Sequence, residues 1–179
     1  MKTKELLLNA VNQPHERTYG RYYASELYQI IKGYLKPKDF FKTKEIDLAG
    51  AENICRGEAY EAKWKEILEI NKIPFKYGDE IKREIKIKDF ILVVKPDFEF
   101  NDWVLETKYP VRSIKEIPEK WIYQLEAEYQ ATHKKVYLGI FEPTFKIKYF
   151  LYHPNSARWD LIIKTLEKFH SEISQILKK

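Results

Sequence analysis

Through the first part of the chain, apolar residues recur at intervals of three and four, the period of a helix with one buried face. Leu6, Leu7 and Leu8 place a first helix over residues 4–12, followed by a polar loop at Gln13-Pro14-His15-Glu16. A second starts at Ser25, a good N-cap, carries Leu27, Ile30, Ile31 and Leu35, and ends near 33–37. A third covers 51–71, with Ala59, Trp64, Ile67 and Leu68 as its stripe and Pro74 closing it. After Gly78 the period changes to two: Ile81, Arg83, Ile85 and Ile87 alternate with charged residues, which predicts a half-exposed strand. Lys88-Asp89 predicts a turn, 90–100 a long strand, Asn101-Asp102 a second turn and 103–109 a third strand. Helical spacing returns from Pro118 to His133. Residues 136–141 and 145–152 then predict a hairpin around Glu142-Pro143-Thr144. A last helix over 155–177 carries Trp159, Ile162, Ile163, Leu166, Phe169, Ile173 and Leu177, a stripe suited to cover a sheet or to form a dimer seam. The order predicts an α/β (α+β) architecture, a mixed sheet with helices on its faces.

Composition narrows the class. The chain has 179 residues, 44% apolar and 33% charged, which gives one globular domain and argues against wholesale disorder. Phe90–Val94 is among the longest apolar runs, far too short to cross a bilayer. No signal peptide is expected, and an intracellular, cytoplasmic location is the default (a host cytoplasm for a viral chain). The single Cys55 excludes an internal disulfide framework and any four-cysteine metal site within one chain. A net charge of +5 and a pI near 9.0 admit a polyanionic partner without identifying one. Abundant Lys, Glu, Ile and Tyr, with one Cys and one Met, is a composition of hot environments, as in a thermophile.

The hairpin around Asn101-Asp102 carries the chemistry. With a two-residue loop, Phe100 pairs with Trp103, Glu99 with Val104, Phe98 with Leu105 and Asp97 with Glu106. One face then holds Phe98, Phe100, Trp103 and Leu105, and the other Asp97, Glu99, Val104, Glu106 and Lys108. A slip of one residue would mix the two sets, so the register is well specified. Directly opposed carboxylates repel, and a hard divalent cation such as Mg²⁺ or Mn²⁺ removes the conflict. Lys108, on the same face, can hold or polarise an attacking water. Glu-x-Lys also occurs at Glu61, Glu80 and Glu84, but only the copy at Glu106 follows a Pro-Asp across a hairpin. The competing reading is an exposed sheet face with solvated charges.

Pro96-Asp97, then Glu106-Thr107-Lys108 beginning nine residues after the aspartate, resembles the PD-(D/E)XK nuclease superfamily. The chain is similar to its RecB-type and Cas4-like nucleases, including small relatives from archaea and their viruses, over roughly 25–141. The resemblance implies a restriction-endonuclease-like core, with a central mixed sheet flanked by helices. It implies a single nuclease domain with an N-terminal helical segment at 1–50, a catalytic core at 51–152 and a C-terminal helix at 153–179. It gives Asp97 and Glu106 the metal, Thr107 a backbone carbonyl to that metal, and Lys108 the nucleophilic water. A helical metal ligand four residues after a glycine falls on Glu61, after Gly57, with Glu58 as a competitor. A glutamine with a tyrosine four residues on, after the catalytic lysine, gives Gln124 a substrate role. Tyr129 stands five residues on, about 140° around the helix, so carrying the tyrosine role to it is a weaker match. Many Cas4 proteins hold an iron–sulfur cluster through four cysteines; this chain resembles the branch without one.

The resemblance implies a Mg²⁺- or Mn²⁺-dependent DNA nuclease, more in the manner of an exonuclease acting at ends or on single strands. A structure-selective endonuclease acting on branched DNA, such as a junction resolvase, and a non-catalytic nucleic-acid-binding protein are the alternatives. The chain would be a monomer or a homodimer, the latter expected of a resolvase. Arg17 and Arg21 beside Tyr19, Tyr22, Tyr23 and Tyr28 could form a stacking and phosphate-binding surface, although core packing explains several of the tyrosines equally well. Lys32, Lys36, Lys38, Lys42 and Lys44 form either a solvated connector or a phosphate-tracking surface. His15, His133, His153 and His170 are expected at the surface or in loops. No Gly-rich phosphate loop is present, so ATP hydrolysis is not expected.

Overall fold

The computed structural model describes residues 3–12, 17–42, 45–142 and 146–178. The expected loop at 13–16 with its His15, Lys44, and the hairpin tip at Pro143-Thr144 lie outside the described residues. Among those described, the elements run α1 (Thr3–Val11), β1 (Arg21–Tyr23), α2 (Leu27–Ile31), α3 (Leu48–Ile70), β2 (Lys76–Tyr77), β3 (Arg83–Ile87), β4 (Phe90–Val94), β5 (Phe98–Glu99), β6 (Trp103–Lys108), α4 (Glu119–Thr132), β7 (Lys135–Phe141), β8 (Ile147–Leu151) and α5 (Ser156–Leu177). They form two compact units, one of Met1–Arg17 with Phe41–Pro74, the other of Thr18–Phe40 with Phe75–Lys179.

The first unit holds α1 and α3. Asp47 starts α3 by accepting a hydrogen bond from Gly50 N at 2.8 Å, so the helix begins ahead of the expected Ala51. Asn12 and Ile46 exchange hydrogen bonds of 3.0 and 2.7 Å. The predicted stripe is only partly realised: Leu68 is buried and Trp64 half-buried, while Ala59 and Ile67 are exposed. Cys55 is half-buried.

The second unit contains two mixed sheets, of order β1-β4-β3 and β2-β5-β6-β7-β8. The expected single strand over 90–100 is two strands in different sheets. Pro96 cannot donate to a ladder, and pairing stops between Val94 and Phe98. The hairpin register is as the apolar sorting predicted, with Phe98 opposite Leu105 and Glu99 opposite Val104. Phe100 N donates to Trp103 O at 2.9 Å and their rings stack at 3.7 Å. β6 pairs in parallel with β7, and α4 makes the crossover that a parallel pair requires. β1, which pairs in parallel with β4, is three residues long and too short to show a period. Ser25 sits inside a 3-10 turn ahead of α2 and caps nothing, and Gly33 (φ +70°) lies just past that short helix.

α5 places Ile162, Leu166, Phe169 and Ile173 in a core with Tyr22, Leu27, Phe90 and Leu92, so its stripe covers the three-stranded sheet. α4 adds Tyr123 and Ala127 to that core. It also supplies Trp121 and Leu125 to a second core with Val104, Val136, Leu138 and Ile140. The polar face of the hairpin is therefore covered, against the competing reading of an exposed face with solvated charges: Glu99, Val104 and Glu106 are all buried. No helix among the described residues is long and apolar enough to cross a membrane.

Candidate active site

Three elements of the second unit meet at the end of β6. The strand itself supplies Glu106, Thr107 and Lys108 in sequence, with Glu106 only 2% exposed. The bend after Pro96 supplies Asp97, and α4 supplies Gln124 and Glu128. β pairing ends at Phe98 and Leu105, so Asp97 does not stand in the ladder opposite Glu106 as the register had implied. Its Oδ2 instead accepts from Thr107 N at 2.7 Å and from Thr107 Oγ1 at 2.5 Å. The Lys108 ammonium donates to Glu106 Oε1. Burial alone would lower the lysine pKa. The charges of Glu106 and then Asp97 outweigh burial and raise it, so Lys108 remains a cation.

Glu128 is fully buried and was not singled out by the sequence. Gln124 Nε2 donates to its Oε1 at 3.1 Å. Burial, followed by the charge of the adjoining Glu106 carboxylate, pushes the Glu128 pKa well above the ordinary carboxyl range. The Oε2 atoms of both Glu106 and Glu128 are buried without a hydrogen-bond donor.

The other buried acids differ. Glu99 is bound by Arg83 at 2.7 Å and Lys134 at 2.8 Å. Glu126 accepts from Tyr152 Oη, Asn155 N and Gln130 Nε2, joining α4 to the start of α5. Glu142 is bound by Lys148 at 2.6 Å and by Ser113. Glu106 and Glu128, unlike Glu99, Glu126 and Glu142, each keep one buried oxygen without a donor, as does the half-buried Glu26 at its Oε2. No three His, Cys, Asp or Glu side chains among the described residues form a ready-made metal cage.

The remaining predicted site residues lie on other elements. Glu61 lies on α3 in the first unit, half-buried, with Glu58 exposed on the same helix. Arg17 belongs to that unit as well, whereas Arg21 belongs to the second and is paired with Glu84. Tyr129 packs against the second core and meets His133 edge-on, so the position four residues after Gln124 belongs to Glu128. His133 and His153 are exposed as expected. His170 is not a surface or loop residue: it is half-buried on α5, its Nδ1 2.8 Å from Tyr22 Oη.

No protein-family model and no curated protein matches the chain. Solved structures do. SSO0001 aligns with a TM-score of 0.68 at 18% identity, over 94% of this chain and 85% of its own. The alkaline exonuclease LHK-Exo from Laribacter hongkongensis aligns at 0.63 and 12% identity, over 97% and 96%. LHK-Exo in complex with dAMP aligns at 0.59 and 14%, over 89% and 93%. The mixed α/β fold of this chain is the fold of these structures, the alkaline exonuclease LHK-Exo among them.

Proposed function

We propose that this chain is a divalent-cation-dependent DNA nuclease, an exonuclease of the RecB and Cas4-like type without an iron–sulfur cluster. The observation that carries the reading is Glu106: a buried carboxylate with one oxygen held by Lys108 and the other without a donor, beside an Asp97 fixed by Thr107. Carboxylate oxygens with a backbone carbonyl are a donor set that fits Mg²⁺ or Mn²⁺, ions that keep several waters and need few protein ligands. Asp97, Glu106 and the Thr107 carbonyl would hold the ion. Bound there, it would neutralise charge on the scissile phosphate and make a nearby water more acidic.

The chain's own groups have separate tasks. Lys108, held as a cation by Glu106 and Asp97 in the metal-free protein, would orient the attacking water and stabilise developing negative charge. Thr107 keeps the Asp97 carboxylate in one orientation. Gln124, half-buried on α4, is the polar group nearest in sequence logic for contact with the nucleotide. DNA as substrate is supported by the fold shared with exonucleases, one of them solved with dAMP, and by the net charge of +5. The part given to Glu61 rests on the family resemblance alone and is tested with Glu61→Ala.

The test is incubation of labelled linear, circular and branched DNA with Mg²⁺, Mn²⁺ or EDTA, for wild type and Asp97→Ala. Loss of linear DNA from its ends, dependent on the cation and abolished in Asp97→Ala, is the expected result. Undiminished cleavage by Asp97→Ala overturns the site. Cutting confined to branched DNA favours the resolvase-type endonuclease, and a gel shift without cutting favours a binding protein.

A further inference from the structure

We propose that Glu128 is a working carboxylate of the cation site, a positioning residue on α4 that strengthens binding of the divalent ion beside Glu106. The inference rests on the nuclease reading above and extends it to a residue outside the Asp-Glu-Lys pattern.

Burying a carboxyl group is costly unless donors surround it. The buried Glu99, Glu126 and Glu142 are supplied with such donors, and each has an evident structural task. Glu128 is not: it is 0% exposed, one oxygen has a single amide donor, and the other has none. Glu128 adjoins a second carboxyl group, Glu106, whose Oε2 also lacks a donor. In the metal-free protein a protonated Glu128 can hydrogen-bond to Glu106, and a hard cation with its hydration shell, competing for that proton, would give both carboxyl groups a partner.

The helix explains the placement. Gln124 and Glu128 are four residues apart, so both project from one face of α4, and Gln124 fixes Oε1 while Oε2 is left without a donor. Leu125 and Ala127, in between, are buried in the two cores, Leu125 together with Val104 of β6, which fixes the docking of the helix. Glu128 therefore adds negative charge and an acceptor for the ion's hydration shell, with its orientation already set.

The experiment is calorimetric titration of the full chain with Mn²⁺, without DNA, together with melting temperatures in EDTA and in Mn²⁺. Wild type, Asp97→Ala, Glu128→Gln and Glu128→Asp are compared. Glu128→Gln keeps the shape and an acceptor for Gln124, and is expected to weaken Mn²⁺ binding about tenfold or more. It should also melt no lower than wild type in EDTA. Glu128→Asp, which keeps the charge, should bind more tightly than Glu128→Gln. If Glu128→Gln binds Mn²⁺ as wild type does while Asp97→Ala has lost binding, Glu128 is structural and the nuclease reading stands without it. Equal weakening by Gln and Asp also overturns the inference, because charge is then not the cause. If Asp97→Ala binds Mn²⁺ as wild type does, the ion lies elsewhere and both readings fall.

Discussion

Thr107 holds Asp97 twice, its backbone N–H and its hydroxyl both donating to Oδ2 at 2.7 and 2.5 Å. The threonine thus serves an acid that lies outside the β ladder and has no strand pairing to fix it. Thr107→Val keeps the strand former and the N–H but removes the hydroxyl. It should cost about 1.5–3 kcal/mol of stability, the range for a hydrogen bond to a charged group. It should also raise the Mg²⁺ concentration for half-maximal DNA cleavage about tenfold. Mg²⁺ titrations of cleavage and urea unfolding measure the two effects, and an unchanged Mg²⁺ midpoint would show that the hydroxyl does not position Asp97.

Lys108 compensates charge in the metal-free protein, apart from the part proposed for it in cleavage. Its ammonium, one quarter exposed, binds a Glu106 side chain that is 2% exposed. Lys108→Met leaves that carboxylate buried beside Asp97 and Glu128 without a cation. We expect a loss of about 3 kcal/mol in EDTA, the lower end for breaking a buried pair. Saturating Mg²⁺ should return more stability to Lys108→Met than to wild type, because the ion replaces the missing charge. Cleavage should be lost in both conditions. Thermal melts with and without Mg²⁺ measure this, and equal Mg²⁺ shifts in the two proteins would contradict it.

Glu99 shares the hairpin face with Glu106, yet its carboxylate is taken up by Arg83 and Lys134. Lys134 also donates to Phe100 O at 2.7 Å, so the acid anchors the hairpin. Glu99→Ala is expected to cost about 2–3 kcal/mol, less than a fully buried pair because both cations are partly exposed. Its Mn²⁺ affinity should match wild type. A tenfold weaker Mn²⁺ isotherm for folded Glu99→Ala would place Glu99 in the site.

The hairpin was legible because large apolar residues and charged ones sort cleanly to opposite sides at period two. Lys95-Pro96-Asp97 does interrupt the apolar run, and its proline was the available sign of a break, but the period-two pattern does not say that the two halves pair in different sheets. It could not give β1 either, whose three residues are recruited by an existing strand. Glu128 was illegible for a different reason. Glu126 and Glu128 are both 0% exposed on one helix, and an acid on a helix reads as solvent-facing until the docking of that helix is known. The glutamine-tyrosine spacing was the available signal: the position four residues after Gln124 is an acid, and Tyr129, one residue further, turns into the core.

His170 makes a pH-dependent contribution to stability of its own. Its ring is stacked on Tyr19 at 4.6 Å, and its Nδ1 lies 2.8 Å from Tyr22 Oη. Burial holds its pKa below the ordinary 6.5, against a weaker opposing pull from Asp89. The fold therefore favours the neutral ring, and below the ordinary value the unfolded chain binds more protons than the folded one. The stabilisation is present above about pH 6.5 and is lost as pH falls through the lower, folded-state pKa. His170→Gln keeps a polar group but does not titrate. It should be less stable than wild type by about 1 kcal/mol near pH 7.5, from the lost contact to Tyr22. Its stability should fall less steeply than that of wild type between about pH 7 and pH 5, so the two curves converge toward acid. Urea unfolding across that range measures both slopes, and parallel curves would show that His170 does not titrate with folding.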